Sequence, residues 1–301
     1  MLLLGCPTDP GEFPPVDDDD TTAADDDDST ESTEWKMLGM GDFHSCGING
    51  ASELVCWGWD WFTQAQPPPG EFVWVGGGWS HTCALAVDGT VACWGYEEST
   101  DFGQSVAPEG QFSQLWVGSH HNCALDADGM AVECWGKNLE GQLEIPDKPW
   151  KMMDGSKFST CGLDLEGALS CWGESQVGET DAPAGVFESF AVGEASGCAL
   201  DAAGSITCWG LVSTIELPPA GAFESVGCGK GHCCALDTFG EATCWGNASD
   251  GKTEPPDVQM TQLSCGSAHC CALNVQGAPV CWGSNEEAEG SPVGQSTPPP
   301  P

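Results

Sequence analysis

The chain has 301 residues, of which 46 are acidic and only 7 are basic, and its formal net charge at pH 7 is −39. All seven basic residues are lysines, so the clustered cations with which proteins displace counterions from nucleic acid are lacking. This composition argues against nucleic-acid binding, and the absence of arginine excludes an arginine finger or a bidentate arginine clamp on phosphate.

Residues 1–6 read MLLLGC and resemble the end of a bacterial lipoprotein signal, with Cys6 as the residue that would carry the lipid. The apolar run is only about four residues long and no basic segment precedes it. Two alternatives stay open: a start that lies further upstream, and an apolar N-terminus without function.

Residues 7–34 are rich in Pro, Thr and Asp, with runs at Asp17–Asp20 and Asp25–Asp28. Such a segment buries too little apolar surface to offset the entropy of ordering, and its charges repel one another. We expect a disordered acidic tether. Weak Ca²⁺ binding is the alternative, although ordered calcium loops interleave their ligands with a turn-forming glycine.

From residue 35 onward a unit of about 37 residues repeats seven times. In each unit a Cys is followed ten or eleven residues later by Cys-Trp-Gly, and the tryptophans recur at intervals of 37, 41, 37, 37, 36 and 37 residues. Most units open with an aromatic residue, followed by an apolar residue three positions later and a glycine six positions later, as in Phe72, Val75 and Gly78. A fixed period of this length indicates stacked or radially arranged units.

The second half of each unit predicts a β-hairpin. In the second unit Asp88-Gly89 turns the chain between two apolar runs, so that Cys83 faces Cys93. Both faces of the hairpin are apolar, so each hairpin must lie between two neighbours, as the blades of a propeller do. We therefore predict an all-β fold, a seven-bladed β-propeller over residues 35–297, followed by a Pro-rich tail at 298–301. The last connector could reach back to the first blade and close the ring.

The run from Val75 to Leu85, VGGGWSHTCAL, with the closing Cys93-Trp94-Gly95, resembles the regulator of chromosome condensation repeat. The resemblance implies a seven-bladed propeller that presents its loops to a protein partner. The short unit is most similar to bacterial propellers of the β-lactamase inhibitory protein type. Guanine-nucleotide exchange does not carry over, because no interval in the chain can hold the protruding insertion that this activity needs.

Fourteen cysteines lie in facing pairs of the seven hairpins, and facing positions of a narrow antiparallel pair come close enough to bridge. We predict disulfides, with buried free thiols as the alternative. The pairs are Cys46/Cys56, Cys83/Cys93, Cys123/Cys134, Cys161/Cys171, Cys198/Cys208, Cys234/Cys244 and Cys271/Cys281. This usage is typical of an oxidising compartment.

Two units carry an additional pair, Cys228 with Cys233 and Cys265 with Cys270. Pairing within each unit explains why both members are present together, while bridges between units would give the same count. A Cys₄ zinc site is a further alternative, although the spacing is not that of a zinc knuckle.

Five histidines share one position of the unit, where the other two units have Ser159 and Ser196; they are His44, His81, His121, His232 and His269. A shared position implies a shared local role, and we expect these side chains to satisfy a backbone carbonyl at a strand start. We predict no catalytic residues, no cofactor and no metal.

Three tryptophans outside the Cys-Trp-Gly motif, Trp59, Trp61 and Trp79, are the candidates for contact with a partner, because loop aromatics often anchor protein interfaces. Filling of gaps between blades is the alternative for each.

Together these features predict a non-enzymatic, monomeric, extracytoplasmic propeller, secreted or anchored in a membrane only through a lipid at Cys6, that binds a protein partner. An inhibitor of a secreted hydrolase and a carbohydrate-binding module are the alternatives.

Overall fold

The computed structural model describes residues 34–95, 101–215, 217–286 and 293–299, and these residues form seven antiparallel three-stranded sheets, each in the order of the sequence. We call the sheets blades 1 to 7. The chain is a seven-bladed β-propeller, as predicted. The first strands are β1 Trp35–Met40, β4 Phe72–Gly77, β7 Phe112–Val117, β10 Trp150–Gly155, β13 Ser189–Val192, β16 Phe223–Cys228 and β19 Met260–Cys265. The second strands are β2 His44–Asn49, β5 Thr82–Ala86, β8 His121–Asp126, β11 Ser159–Asp164, β14 Ser196–Leu200, β17 His232–Asp237 and β20 His269–Asn274. The third strands are β3 Leu54–Gly58, β6 Val91–Trp94, β9 Val132–Gly136, β12 Leu169–Gly173, β15 Ile206–Gly210, β18 Ala242–Gly246 and β21 Pro279–Gly283.

Helical structure in the described part of the chain is limited to the turn α1 Val212–Ile215 and a 3₁₀ turn at Ser249–Gly251, both in connectors. Neither turn has the length and apolar character needed to cross a membrane, so the described residues contain no helix that could span one.

The hairpin register agrees with the sequence prediction. Cys83 pairs with Cys93 and Leu85 with Val91 between β5 and β6. Gly89 has a φ of 85°, a left-handed conformation that glycine adopts without steric cost. The side chain of Asp88 stabilises the turn, because its Oδ1 accepts a hydrogen bond from the backbone N–H of Thr90 at 3.0 Å.

The first strands have a bulge that explains their unusual apolar spacing. Residues three apart on a regular strand point to opposite faces. The register of β4 shifts between Phe72 and Trp74, however, and the extra residue brings Phe72 and Val75 to the same face. Phe72 is 4% exposed and Val75 is fully buried, and both belong to a cluster that contains Ile48 of blade 1. Six of the seven first strands carry this bulge; they are β1, β4, β7, β10, β16 and β19.

The core lies between the blades rather than within them. One cluster joins Ile48 and Leu54 of blade 1 to Phe72 and Ala84 of blade 2, and the corresponding cluster between blades 7 and 1 contains Leu273 and Trp35. Each hairpin is thus covered on both faces, which is the condition that the sequence pattern implied.

The shared histidines connect neighbouring blades. Nε2 of His44 lies 2.7 Å from Oγ1 of Thr82 in blade 2. The hydroxyl of Thr82 donates its one hydrogen to the carbonyl of Gln64, so the His44 ring is the donor in the contact between blades. The equivalent contacts are His81 to Asn122, His121 to Thr160, His232 to Cys270 Sγ and His269 to Ser45. The expectation that these rings satisfy a backbone carbonyl was wrong, since the partner is a side chain of the next blade.

The ring of blades is closed by hydrogen bonds between blade 7, the last described segment and blade 1. The carbonyl of Gln295 accepts hydrogen bonds from Ser45 Oγ at 2.8 Å and from Trp57 Nε1 at 3.0 Å. The Gln262 side chain of blade 7 accepts from the backbone N–H of Leu38 and donates to its carbonyl. The last connector therefore reaches back to the first blade, as predicted.

Eighteen cysteines form nine disulfides in the described residues, and seven of these bridges join the second strand of a blade to its third strand. The free-thiol alternative is therefore wrong for all fourteen hairpin cysteines. The seven bridges are the expected pairs: Cys46 with Cys56, Cys83 with Cys93, Cys123 with Cys134, Cys161 with Cys171, Cys198 with Cys208, Cys234 with Cys244 and Cys271 with Cys281.

The two additional bridges, Cys228–Cys233 and Cys265–Cys270, each lie within one blade and join its first strand to its second. Of the two pairings that the sequence left open, the structure has the one within the blade. Cys6 lies outside the described residues, and the acidic segment 7–34 contributes only Glu34 to them.

Candidate binding face at the mouth of the central cavity

The first strands of all seven blades line a central cavity with a volume of about 460 Å³. Its wall includes the partly accessible apolar residues Met37, Val117 and Val226. The cavity continues into the turns that connect each first strand to the second. The side chains on these turns determine what can enter.

One residue per blade, at the position after the glycine of the repeat (Ser156 in blade 4), forms the rim of the cavity, and we call this set the mouth ring. It comprises Asp42, Trp79, Ser119, Lys157, Glu194, Lys230 and Ser267. All seven side chains are at least partly accessible to solvent. The ring therefore contains two carboxylates, two ammonium groups, two hydroxyls and one indole.

The charges of the mouth ring are only partly paired. Glu194 and Lys230 form an ion pair of 2.9 Å. Lys157 has no ion-pair partner among the described residues, and its ammonium lies 5.2 Å from the ring centre of Phe158. Burial raises the pKa of Asp42 to about 6, and the nearby carboxylate of Glu194 adds to the effect while Lys157 opposes it.

A second carboxyl, Asp154, faces the cavity below the rim. Both Asp42 and Asp154 keep some accessible surface because they face the cavity, yet protein surrounds them on every other side. This desolvation raises the pKa of Asp154 to about 7. Asp154 Oδ2 accepts a hydrogen bond of 2.8 Å from the backbone N–H of Val192 and so links blade 4 to blade 5.

Aromatic rings extend from the mouth ring across the same face, and we call this group the aromatic ribbon. It comprises Phe43, Trp59, Trp61, Phe62, Trp79, Phe102, His120 and Phe158. Trp59 packs edge-on against Trp79 with ring centres 5.3 Å apart, and Trp79 stacks on His120 at 5.8 Å. The ammonium of Lys137 continues the ribbon, since it lies 5.8 Å from the Phe102 ring centre and 4.9 Å from that of Phe158.

The three tryptophans singled out in the sequence come together in this ribbon, but they differ in exposure. Trp61 is 67% exposed, whereas Trp79 is half-buried. Trp59 is only 6% exposed and lies beneath Trp61 with ring centres 6.0 Å apart. The expectation that Trp59 is a surface residue was therefore wrong; it supports the exposed ring instead.

His120, the one histidine outside the shared position, belongs to the ribbon. It is 7% exposed, and its burial together with the neighbouring His81 and the cations Lys137 and Lys157 lowers its pKa to about 4. A neutral ring can stack on Trp79 without the cost of a buried charge. Its role was not apparent in the sequence because its neighbours lie in other repeats.

The ribbon is confined to blades 1 to 4. At the position after the mouth ring, blades 1, 3 and 4 have Phe43, His120 and Phe158, whereas blades 5, 6 and 7 have Ala195, Gly231 and Ala268. The sequence contained this signal, but it becomes visible only when the repeats are aligned by position and read from blade to blade.

Comparison with known proteins agrees with this architecture. The sequence profile of the Regulator of chromosome condensation (RCC1) repeat matches residues 75–104 and 260–288, which lie in blades 2 and 7. Two of the seven repeats therefore match the RCC1 repeat, in a chain that folds as a seven-bladed propeller. No curated protein matches it. The narrower resemblance to short-repeat bacterial inhibitors stays a prediction.

Several solved structures of other proteins superpose on this propeller. The ectodomain of the receptor kinase CR4 from Physcomitrella patens has a TM-score of 0.70 and 24% identity, over 84% of this chain and 74% of that one. The CRINKLY WD40 ectodomain of ACR4 from Arabidopsis thaliana has a TM-score of 0.70 and 22% identity, over 86% and 97%. Prp20p from Saccharomyces cerevisiae has a TM-score of 0.50 and 17% identity, over 83% and 72%. At these identities the similarity establishes the fold alone.

Among the described residues, two groups bring metal-ligand atoms within 4.8 Å of one another: Cys198 with Cys228 and Cys233, and His232 with Cys265 and Cys270. Every cysteine in them belongs to a disulfide. Because the metal ligand is the thiolate, neither group can bind zinc in this oxidised state.

Proposed function

We propose that this RCC1-repeat propeller is a non-enzymatic extracytoplasmic scaffold that binds a protein partner through the aromatic ribbon. The observation that carries the proposal is the continuous contact of aromatic rings from Phe43 to Phe102, which the ammonium of Lys137 extends to Phe158 of blade 4. Trp61 and Phe102 present exposed surface; the ring of Trp59 supports Trp61, and the ring of His120 contacts Phe102. Rigid aromatic anchors lose little conformational entropy on binding, which suits an interface of high affinity.

The charge of the molecule favours a basic partner. A net charge of −39 attracts cationic surfaces and raises the rate of encounter. Prp20p, a similar propeller, has binding properties toward Gsp1p and histones, so a protein of this fold does bind other proteins. We propose a partner whose contact surface combines an apolar pocket for Trp61 with surrounding lysines or arginines.

The nine disulfides and the ectodomain nature of two similar structures support a location outside the cytoplasm. We further propose that Cys6 carries a lipid and that residues 7–34 act as a tether. Lipid labelling of the full-length protein and of Cys6→Ser in the native host tests this: the label must disappear in the variant, and equal labelling of both overturns the anchor.

Site-specific photo-crosslinking tests the binding face. A photoreactive phenylalanine analogue at Trp61 should crosslink to a protein of the extracytoplasmic fraction. The matched control places the analogue at Phe239, which is 73% exposed in the β17–β18 turn at the opposite end of its blade. Crosslinking at 61 and not at 239 supports the proposal. Equal yields, or none at 61, contradict it.

Affinity measurements with the partner identified by crosslinking then determine how much the Trp61 side chain contributes to the free energy of binding. Trp61→Ala should weaken binding about 30-fold or more, because exposed aromatic anchors commonly contribute about 2 kcal/mol. Phe239→Ala should leave the affinity unchanged. If a glycan array instead retains the wild type and not Trp61→Ala, the ribbon is a carbohydrate site and the protein-binding proposal fails.

A further inference from the structure

The blade 1 to 4 half of the mouth ring contains two groups of opposite charge that do not form an ion pair. Lys157 is close enough to Asp42 to lower the pKa of that carboxyl, yet no ion pair of 4.0 Å or less joins them among the described residues. On the other half of the ring, Glu194 and Lys230 neutralise each other. One carboxylate and one ammonium group therefore remain available to a molecule in the mouth.

Aromatic and hydroxyl groups lie between these two charges around the rim. In blade order, Asp42 is followed by Trp79, then Ser119, then Lys157. Ser119 lies close enough to Asp42 to lower the pKa of that carboxyl. Phe43 and Trp79 both line the cavity beside Asp42, and the face of an aromatic ring attracts an organic cation.

The Trp79 ring is held in a fixed position by the residues behind it. It stacks on the ring of His120 with an angle of only 15° between the two planes, and it contacts the buried Trp59 at an angle of 67°. A wall that is already ordered does not have to be immobilised when a ligand binds.

We propose that the mouth of the central cavity binds a small zwitterion that carries an ammonium group and a carboxylate, such as a free amino acid. The ammonium group contacts the Asp42 carboxylate and the rings of Phe43 and Trp79. The carboxylate contacts the Lys157 ammonium. A volume of about 460 Å³ lies in the usual range for small-molecule pockets. Phe43 and Trp79 belong both to this site and to the aromatic ribbon, whereas Trp61, the proposed anchor for a protein partner, does not line the cavity.

The overall charge of the molecule favours a zwitterion over an anion. A free carboxylate must approach a chain of net charge −39, which repels it, whereas a zwitterion approaches without net repulsion. A simple amine would satisfy Asp42 but would lie near the unpaired Lys157. The groups that act on Asp42 are Glu194, Lys157 and Lys230, from blades 5, 4 and 6.

Calorimetric titration of the full chain with the twenty standard amino acids and glycine betaine tests the proposal at pH 7.5. At least one should bind with a dissociation constant below about 1 mM, and no binding across the panel overturns the proposal. The best ligand is then compared with its decarboxylated amine and its deaminated acid. Each should bind about tenfold more weakly, since a hydrogen bond to a charged group is lost. An amine that binds as well as the zwitterion overturns the role of Lys157.

Three variants distinguish this site from adventitious binding. Asp42→Asn should weaken the zwitterion about tenfold and leave the deaminated acid unaffected; Lys157→Gln should weaken the zwitterion about tenfold and leave the amine unaffected. The matched control is Lys151→Gln, which removes a lysine that is ion-paired with Glu188 and does not line the cavity. Thermal unfolding must show that all three are folded. Unchanged affinity in Asp42→Asn, or equal losses in all three variants, contradicts the proposal.

Discussion

Blades 1 to 4 and blades 5 to 7 are built from the same repeat, yet they differ at the positions that line the binding face and at those that join the blades. The first sector holds the aromatic ribbon, while the second has Ala195, Gly231 and Ala268 at equivalent positions. The second sector has both additional disulfides. Binding groups and added covalent links are therefore separated around the ring, which allows each to vary without disturbing the other.

The joints between blades also differ, but histidine joints occur in both sectors, since joints 6–7 and 7–1 contain His232 and His269. Joints 1–2, 2–3 and 3–4 each contain a histidine that contacts a side chain of the next blade. At joint 4–5 the position of the histidine is Ser159, which bonds to Ser156 of its own blade, and the Asp154 carboxylate links the blades instead. At joint 5–6 the disulfides lie against each other, with Sγ of Cys198 3.7 Å from Sγ of Cys233.

Reduction of the disulfides should have the largest effect on stability. It should also remove the two additional bridges that distinguish blades 5 to 7 from blades 1 to 4. In the chain-entropy model a bridge that closes a loop of about eleven residues stabilises the fold by up to ~3 kcal/mol. Seven such bridges together exceed the ~5–15 kcal/mol by which domains are stable. We expect the chain to unfold once all nine bridges are reduced, as measured by circular dichroism and tryptophan fluorescence. A fully reduced chain that keeps the native spectrum would contradict this.

Substitution at single joints tests whether histidine joints carry more stability than the serine joint. His121→Ala removes a buried ring and its 2.8 Å hydrogen bond to Thr160, and should lower the free energy of unfolding by about 3 kcal/mol. Ser159→Ala should cost only about 1 kcal/mol. Urea titration of the oxidised proteins measures both. Equal losses would mean that the joints are equivalent.

Acid should weaken the histidine joints in particular. Burial lowers the pKa of His121 to about 3, so the folded state keeps the ring neutral while the unfolded state binds a proton below pH 6.5. The contribution of the His121 ring to the free energy of unfolding is therefore fully present above pH 6.5 and is lost progressively as the pH decreases toward 3. Between about pH 6.5 and about pH 4.5 the loss is about 2 to 3 kcal/mol. In His121→Gln the loss over this interval should be smaller by that amount, and an identical acid profile would disprove the assignment.

Joint 4–5 should respond to pH in the opposite direction and by less. The pKa of Asp154 is raised to about 7, so the folded state retains a proton that the unfolded state has released, and stability falls as the pH rises from about 4 through 7. Because Asp154 keeps some contact with solvent in the cavity, we expect a contribution of about 1 to 2 kcal/mol. Asp154→Asn should remove this dependence. Denaturant titrations at about pH 5 and about pH 8 measure it, and the same change in both proteins would refute it.

Residues close together in the sequence were sufficient to predict the hairpins of the blades. Asp88-Gly89 between two apolar runs fixes the register of Cys83 with Cys93, because a hairpin is determined by residues close in sequence. The bulge after Phe72 was not predicted, although the apolar spacing of Phe72 and Val75 is one that a regular strand does not allow.

Relations between blades were harder to predict. The partner of His44 is Thr82, and the ring that stacks on Trp79 is His120, each about 40 positions away and in another repeat. The mouth ring was overlooked because its members are chemically different, and the repeat pattern draws attention to positions that stay the same. The pairing of Cys228 with Cys233 was left open because both solutions satisfied the count; only the register of β16 with β17 decides it.

The contact of Gln295 with Ser45 and Trp57 has a consequence for biosynthesis. The hairpin of blade 1 is complete in the chain by Gly58, but the backbone carbonyl that accepts from Trp57 lies 238 positions beyond that residue. Until it is synthesised, the outer face of the hairpin has neither that hydrogen-bond acceptor nor the covering side chains of blade 7. Individual hairpins can therefore form while the chain is still being synthesised, whereas the ring of blades can close only after the last connector has been made.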